Sequence, residues 1–109
     1  LIRSRGLGDV YKRQELMRCH SLDLLCYPGM MGDPPEIDKV GRYYYLDWPL
    51  ITSPANLTGA PAASVRVGYS VANMPMSIQL TGKLFEDGKV LSAAHAYELA
   101  TPEFSKIME

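Results

Sequence analysis

The chain has 109 residues, a formal net charge of −1 and 47% hydrophobic residues, and these values bound its size and class. This length allows one small domain with a modest core. The near-neutral charge excludes a protein that attracts nucleic acid or an acidic membrane through its overall field. No apolar run approaches the length of a membrane span. Two cysteines are too few for a secreted disulfide framework, so we expect a reduced, cytoplasmic setting.

Residues 1–14 differ from the rest of the chain in composition. The first 20 residues carry five Lys or Arg against two acidic residues, although the whole chain has a net charge of −1. The segment LIRSRGLGDVYKRQ resembles translated read ends that precede many unrelated assembled sequences. We therefore expect 1–14 to be a non-native tail and 15–109 to be the functional part. Good helix formers nevertheless predict a helix from about Asp9.

The middle of the sequence predicts a strand, a loop and an interrupted helix. Residues 22–28 are an apolar run closed by a proline, which is typical of a buried strand. Residues 29–41 contain three Gly and a Pro–Pro pair without any period, which indicates a loop. Within 42–59 apolar residues recur at helical spacing, but Pro49 and Pro54 predict an interruption or a kink.

The C-terminal half predicts a hairpin followed by a helix. Apolar residues alternate with polar or small ones over 63–69 and again over 77–81, which is the pattern of strands with one buried face. Asp87 can cap a helix over 88–101, whose apolar residues recur every three or four positions, and Pro102 stops it. The predicted fold is α/β: a partial mixed sheet with flanking helices, the last of which covers the sheet.

Side chains that could hold a metal are few and scattered. His20 and His95 are distant in sequence, and neither has a carboxylate or cysteine at ligand spacing, so a structural role in the helix is favoured for His95. Cys19 and Cys26 lack the C-x-x-C spacing of a zinc site. No glycine loop ends in Lys followed by Ser or Thr, as a phosphate-binding loop does. The sequence therefore predicts no metal and no cofactor.

Two segments, SPANLTGAPAASVRVGY (53–69) and NMPMSIQLTGKLFEDGKVLSAAHAYE (73–98), carry an ordered series of motifs. The series resembles the C-terminal end of the amidase signature family, and the resemblance covers residues 22–101. The residues that match the family pattern are Pro54, Asn56, Leu57, Gly59, Pro61, Ala62, Ser64, Val65, Met74, Pro75, Gln79, Leu80, Gly82, Ala94, His95, Tyr97 and Glu98. Within the series, Gly59 and Pro61 predict the turn at which a helical segment reverses into a strand.

The resemblance implies an amidohydrolase that cleaves carboxamide C–N bonds through a Ser–Ser–Lys triad. A serine attacks the carbonyl, an acyl-enzyme forms, and a second serine with a neutral lysine moves the proton, while backbone N–H groups bind the oxyanion. In the family these groups precede the matching region, and Lys39, Lys83, Lys89 and Lys106 do not match the family's lysine. We therefore expect a C-terminal fragment that is inactive alone and has no catalytic residue. The implied partner is a small-molecule amide, without nucleic acid or membrane, and a homodimer is one conceivable assembly.

Departures from the family pattern bear on the type of amidase. In the glutamine-using subunit of tRNA amidotransferases, an Asp that contacts the substrate precedes the equivalent of Pro54 by five residues. Pro49 stands at that position, and Asp47 is two residues away. This favours an amidase over the alternative, the glutamine-hydrolysing A subunit of a tRNA-dependent amidotransferase. A non-catalytic small α/β interaction module is the second alternative.

Trp48, Leu50 and Ile51 are the candidate residues of a substrate pocket. The family's segment equivalent to 43–56 helps to shape the acyl pocket, and this segment here contains no Lys or Arg to bind a substrate carboxylate. Its composition predicts an aromatic or aliphatic amide as substrate rather than glutamine. The alternative is that the three side chains pack in the core.

Overall fold

The computed structural model describes residues 2–30, 32–40 and 49–105. Helices and strands alternate along these ranges. In chain order they are α1 (Ile2–Cys19), β1 (Leu25–Pro28), a 3-10 turn (Ile37–Lys39), α2 (Pro49–Thr58), β2 (Ala62–Tyr69), β3 (Pro75–Thr81), α3 (Asp87–Ala100) and the short α4 (Pro102–Ser105). None of the helices within these ranges is long and apolar enough to cross a membrane.

The three strands form one antiparallel sheet in the order β1-β3-β2. Leu80 of the central strand lies between Cys26 of β1 and Ala63 of β2 in the register, so these three side chains share one face of the sheet. The helices and strands confirm the predicted α/β fold, and the three described strands are all antiparallel to their neighbours.

The core lies where α3 packs against β2 and β3. Val65, Leu80, Val90 and Ala94 form a buried cluster. Val90 and Ala94 are four positions apart and therefore lie on one side of α3, as the predicted helical periodicity requires. The partly buried residues that surround the cluster are Leu24, Ala63, Ile78, Ala93 and Tyr97. The family motifs around Leu80 and Ala94 thus supply the two sides of one helix–sheet contact.

Two glycines set the geometry of the hairpin that carries this core. Gly59 ends α2 with a φ of +65°, a conformation that glycine adopts without strain, and the predicted turn into β2 is confirmed. Gly82 follows β3, and its N–H donates a 3.0 Å hydrogen bond to the Pro61 carbonyl. A Cβ atom on Gly82 would lie 2.5 Å from Cγ2 of Val90, so only glycine allows this close approach of strand and helix.

Two strand predictions were wrong in detail. The strand predicted over 22–28 is shorter and alternates half-buried with exposed residues, because β1 lies at one edge of the described sheet. In β2 the two-residue alternation fails because the pairing with β3 shifts by one residue between Arg66 and Gly68. Gly68 is therefore buried while Val67 and Tyr69 are half-buried.

Two helix predictions also need correction. The predicted interruption at Pro54 is wrong, because α2 continues through it; Pro49 is the first residue of α2, where the missing N–H has no intrahelical partner to lose. Asp87 is not the capping residue: it lies in the first turn of α3, and the preceding Glu86 makes no side-chain cap hydrogen bond. α3 ends before Pro102 as predicted, and this proline begins α4.

α1 begins earlier than the helix predicted from Asp9 and includes most of the segment predicted as a tail. It contacts α2, and its Met17 is fully buried. Arg13 lies within the predicted tail, yet its Nη2 donates a 2.9 Å hydrogen bond to the Gly82 carbonyl. That residues 1–14 are non-native stays a prediction.

Candidate functional site

Only some of the predicted substrate-pocket residues lie within the part of the chain that the structure describes. Trp48 lies outside the described residues, and Leu50 is placed only through its backbone, in the first turn of α2. Ile51 is half-buried on the same helix. The buried Thr58 fixes the end of α2, since its Oγ1 donates a 2.6 Å hydrogen bond to the Pro54 carbonyl. Whether the three predicted residues form one wall stays a prediction.

A different apolar surface is well defined at the end of the sheet where β1 stops and β3 starts. It is an open cleft of about 520 Å³, bounded by these strand ends and by the loop that follows β1. Pro28 and Ile78 lie opposite each other in the register, and Met76 follows on the same face of β3. Met30 of the loop and Met76 are 41% and 44% exposed. This volume falls within the range of small-molecule sites, about 300–1,000 Å³.

Gly29 gives the cleft its shape, because it brings the end of β1 against the start of β3. Its N–H donates a 2.8 Å hydrogen bond to the Ser77 carbonyl. A Cβ atom on Gly29 would overlap Ser77 Oγ and lie 3.1 Å from the Ser77 carbonyl oxygen. The chain after Gly29 can therefore leave the sheet at once and form the opposite wall of the cleft.

The electrostatics of the cleft are set by Asp33. It is the one charged side chain among the described residues that line the cleft, and it is exposed. A neighbouring depression of about 460 Å³ shares Asp33 and includes Lys39, whose Nζ is already paired with Glu36 Oε2 at 2.5 Å. The cleft can therefore hold an apolar chain, and its charged group suits a ligand end that donates hydrogen bonds.

The opposite face of the sheet is polar where it is most buried. The side chains of Gln79 and Thr81 point away from Leu80 and are 9% and 0% exposed. Their oxygen atoms Gln79 Oε1 and Thr81 Oγ1 have no hydrogen-bond partner among the described residues. Tyr27 lies beside Gln79 in the register. Burial lowers the pKa of Arg13, and the nearby Tyr27 acts in the opposite direction. β3 is thus covered on both faces, whereas the sequence predicted one buried face.

Titratable groups do not gather into a metal centre within ranges 2–30, 32–40 and 49–105. No three His, Cys, Asp or Glu side chains lie close enough there to hold an ion. His20 and His95 are both exposed, and so are Cys19 and Cys26, which are free thiols. Cys26 borders the apolar cleft, and Cys19 lies on α1.

Sequence reasoning missed the cleft, because its walls come from segments that lie far apart in the chain. The period-two pattern located β3 but gave no sign that its first residues lie beyond the cover of α3. The loop after β1 was recognised only as a loop. The one usable signal was the pair formed by Pro28 and Gly29, which ends a strand and permits a close backbone approach.

The motif order and the fold together define an α/β protein of the kind that the amidase signature predicts. A family model described as Amidase matches residues 7–91. The chain belongs to the amidase family. The match starts inside the segment predicted as a tail.

Similar proteins share this assignment. The A subunit of the glutamyl-tRNA(Gln) amidotransferase of Bacillus cytotoxicus is 42% identical over 71 residues, which are 65% of this chain and 14% of that protein. The corresponding protein of Bacillus cereus is 42% identical over 57 residues, which are 52% of this chain and 12% of that protein. The crystal structure of its Thermotoga maritima counterpart superposes with a TM-score of 0.72 and 34% identity, covering 82% of this chain and 19% of that one. The chain therefore spans only a small part of these relatives.

Proposed function

We propose that this chain forms the C-terminal part of an amidase-family hydrolase that cleaves carboxamide C–N bonds. The observation that carries the proposal is the family match over residues 7–91 together with the 0.72 TM-score to a solved relative. In this proposal a Ser–Ser–Lys triad in another part of the parent protein performs the chemistry, and the chain alone is inactive. The helix-covered hairpin would then support the part of the domain that holds the triad.

A chimera tests this function directly. Residues 15–109 replace the matching region of the Bacillus cytotoxicus relative, and ammonia release from amides is measured. The chimera should keep at least about a tenth of the host's kcat/KM, since the transplanted part is not expected to hold a triad member. The control is the host rebuilt with its own segment at the same junctions. A folded chimera without activity, beside an active control, would contradict the proposal, as would hydrolysis by the 109-residue chain alone.

The second candidate function is that of the glutamine-hydrolysing A subunit of a tRNA-dependent amidotransferase. The names of the relatives favour it, because each relative compared above is the A subunit of a glutamyl-tRNA(Gln) amidotransferase. The sequence weighs against it, because Pro49 stands where that protein has a substrate-contacting Asp. Glutamine and hexanamide separate the two functions in the same chimera: a general amidase favours hexanamide, and a component of an amidotransferase favours glutamine.

The segment around Trp48, Leu50 and Ile51 remains our proposal for an apolar substrate wall. In the chimera, Trp48→Ala should reduce kcat/KM more for bulky amides than for small ones, because a pocket wall contacts only the larger substrates. Leu57→Ala is the matched control, since Leu57 lies on α2 and is 67% exposed. Equal losses for every substrate would leave Trp48 as a packing residue.

A further inference from the structure

The face of the sheet opposite α3 contains two buried oxygen atoms that have no hydrogen-bond partner among the described residues. They are Gln79 Oε1 and Thr81 Oγ1, on residues that are 9% and 0% exposed. Burying a polar group without a partner costs free energy, so folded proteins rarely leave one unpaired. The two residues are two positions apart on β3, so both side chains stand on this face, about 7 Å apart along the strand.

The first part of α1 lies at this face and pairs with neither oxygen atom. Arg13 donates its hydrogen bond to the carbonyl of Gly82, the residue after Thr81. Arg13 also lies near Tyr27, which stands on the same face of the sheet. Residues 1–14 are the segment that the sequence predicts to be a non-native tail. This segment therefore occupies the face without satisfying its buried oxygen atoms.

We propose that this face receives a helix from the rest of the amidase domain, and that donor side chains of that helix pair with Gln79 and Thr81. β3 is the central strand and its backbone is paired on both edges, so a partner can reach only the side chains of this face. Helices cover the faces of sheets, and side chains one turn apart on a helix are separated by about 6 Å along its axis, close to the spacing of the two residues.

The proposal rests on the part of the proposed function that makes this chain one segment of a larger amidase domain. The chain covers 19% of its solved relative and 14% of the Bacillus cytotoxicus protein, so most of a protein of that kind lies outside the matched part. The partner is defined by its chemistry: it must present N–H or O–H groups, because both unpaired atoms are oxygen acceptors.

Thr81→Val tests the proposal, because it keeps the shape of the side chain and removes the hydroxyl. Its effect on Tm is measured in the full 109-residue chain and in the chimera that carries residues 15–109 in the Bacillus cytotoxicus relative. The chimera lacks the predicted tail, so a helix of the host can reach the face. Any effect of valine on strand propensity is common to both proteins and cancels in the comparison.

The substitution should have opposite effects in the two proteins. In the 109-residue chain Thr81→Val should raise Tm by about 2–5 °C, because it removes an unpaired buried hydroxyl. In the chimera it should lower Tm by about 1–3 °C, because a group of the host helix then loses its partner. Gln79→Met should show the same reversal. Thr58→Val is the matched control and should lower Tm in both proteins, since Thr58 Oγ1 bonds to the Pro54 carbonyl within α2.

Four results would overturn the proposal. The absence of a rise in the 109-residue chain would mean that ordered water already pairs with the hydroxyl. The absence of a fall in the chimera would mean that no donor of the host meets the face. A rise in the 109-residue chain that depends on protein concentration would assign the face to a second copy. A chimera that does not fold, beside a folded control, would mean that the face does not fit the rest of the domain.

These outcomes are distinct from a failure of the proposed function. A chimera that folds but does not hydrolyse amides contradicts the proposed function, and its Tm still reports on Thr81. A chimera that is active but shows no reversal in Tm contradicts only the proposed contact of the helix with the sheet.

Discussion

The two ends of strand β3 differ in what covers them. Leu80, near the C-terminal end, is packed under α3 and is 8% exposed, whereas Met76 at the other end is 44% exposed and borders the cleft. Both side chains are apolar and lie on one face of one strand. The difference arises from the position of α3, which packs mainly on β2 and on the covered end of β3. The apolar residues of a strand pattern therefore show which face of the strand is apolar, and tertiary contacts decide whether this face is buried in the core or exposed.

The largest expected effect is a truncation at the covered end. Leu80→Ala should lower the free energy of unfolding by about 2–4 kcal/mol, because it removes buried methyl groups and leaves a cavity. Met76→Ala should cost less than about 1 kcal/mol, because its side chain is already half in water. Urea denaturation followed by circular dichroism compares the two variants. Equal losses would mean that both ends of β3 belong to one core.

Glycine-to-alanine substitutions test how tightly the covered end of β3 is packed, because each adds one methyl group at a known position. Gly82→Ala should destabilise the fold by about 1–3 kcal/mol, because the new Cβ would lie 2.5 Å from Val90 Cγ2 in the core. Gly88→Ala is the control in the first turn of α3, where a Cβ meets nothing within 4 Å, and should stabilise the helix by up to about 1 kcal/mol. The melting temperatures of the two variants should therefore move in opposite directions.

At the cleft end the same change should cost less. Gly29→Ala should lower the free energy of unfolding by about 1 kcal/mol. The hydroxyl of Ser77 can rotate away from the new Cβ, so the remaining cost comes from the Ser77 carbonyl oxygen at 3.1 Å, which cannot move. Gly32→Ala, which meets nothing within 4 Å, is the control and should be near neutral. A loss at Gly29 as large as that at Gly82 would show that the cleft end is packed as tightly as the core.

The two thiols extend the comparison from stability to reactivity. Cys19 Sγ donates a 3.1 Å hydrogen bond to Glu15 Oε1, and this carboxylate raises the pKa of the Cys19 thiol. Glu15→Gln should therefore speed alkylation of Cys19 at pH 8 by about two- to threefold, because more thiolate is present. Cys26, at the cleft, is the internal reference and should keep its rate. A parallel change in both rates would indicate general loosening of the fold.

The smallest expected effect is the acid response of α1. The hydrogen bond from Arg18 lowers the pKa of Glu15 from 4.5 to about 2, with a further contribution from Cys19. Because the folded pKa is the lower one, this stabilisation is fully present above pH 4.5 and is lost as the pH falls through about 2. Arg18→Gln should thus lower the urea midpoint slightly at pH 6 and by much less at pH 2. A difference at pH 2 as large as that at pH 6 would rule out the ion pair as its cause.

The hairpin and α3 could be predicted because their signals are local. The alternation through Val65, the turn at Gly59 and the helical recurrence of Val90 and Ala94 each depend on a few neighbouring residues. The bulge after Arg66 could not be predicted, because a one-residue shift in pairing leaves no mark in the alternation that precedes it.

The cleft and the burial of Gln79 and Thr81 depend on long-range contacts. A polar residue in a strand predicts the solvent side, yet in the central strand β3 both faces are covered, and Thr81 is fully buried. The candidate wall at Trp48 was inferred from family resemblance and lies partly outside the described residues. The cleft at Asp33 required the position of β1, which no local pattern contains.

The strand order β1-β3-β2 also sets the order of assembly. β2 and β3 are joined by the short turn over residues 70–74, whereas β1 reaches β3 across the whole middle of the chain. Closing a long loop costs more entropy than closing a short one, and distant pairings form more slowly. The hairpin with α3 is therefore the early unit, and β1 joins it late. Because the cleft exists only once β1 has docked, it is the last surface of the molecule to form and the first that local opening removes.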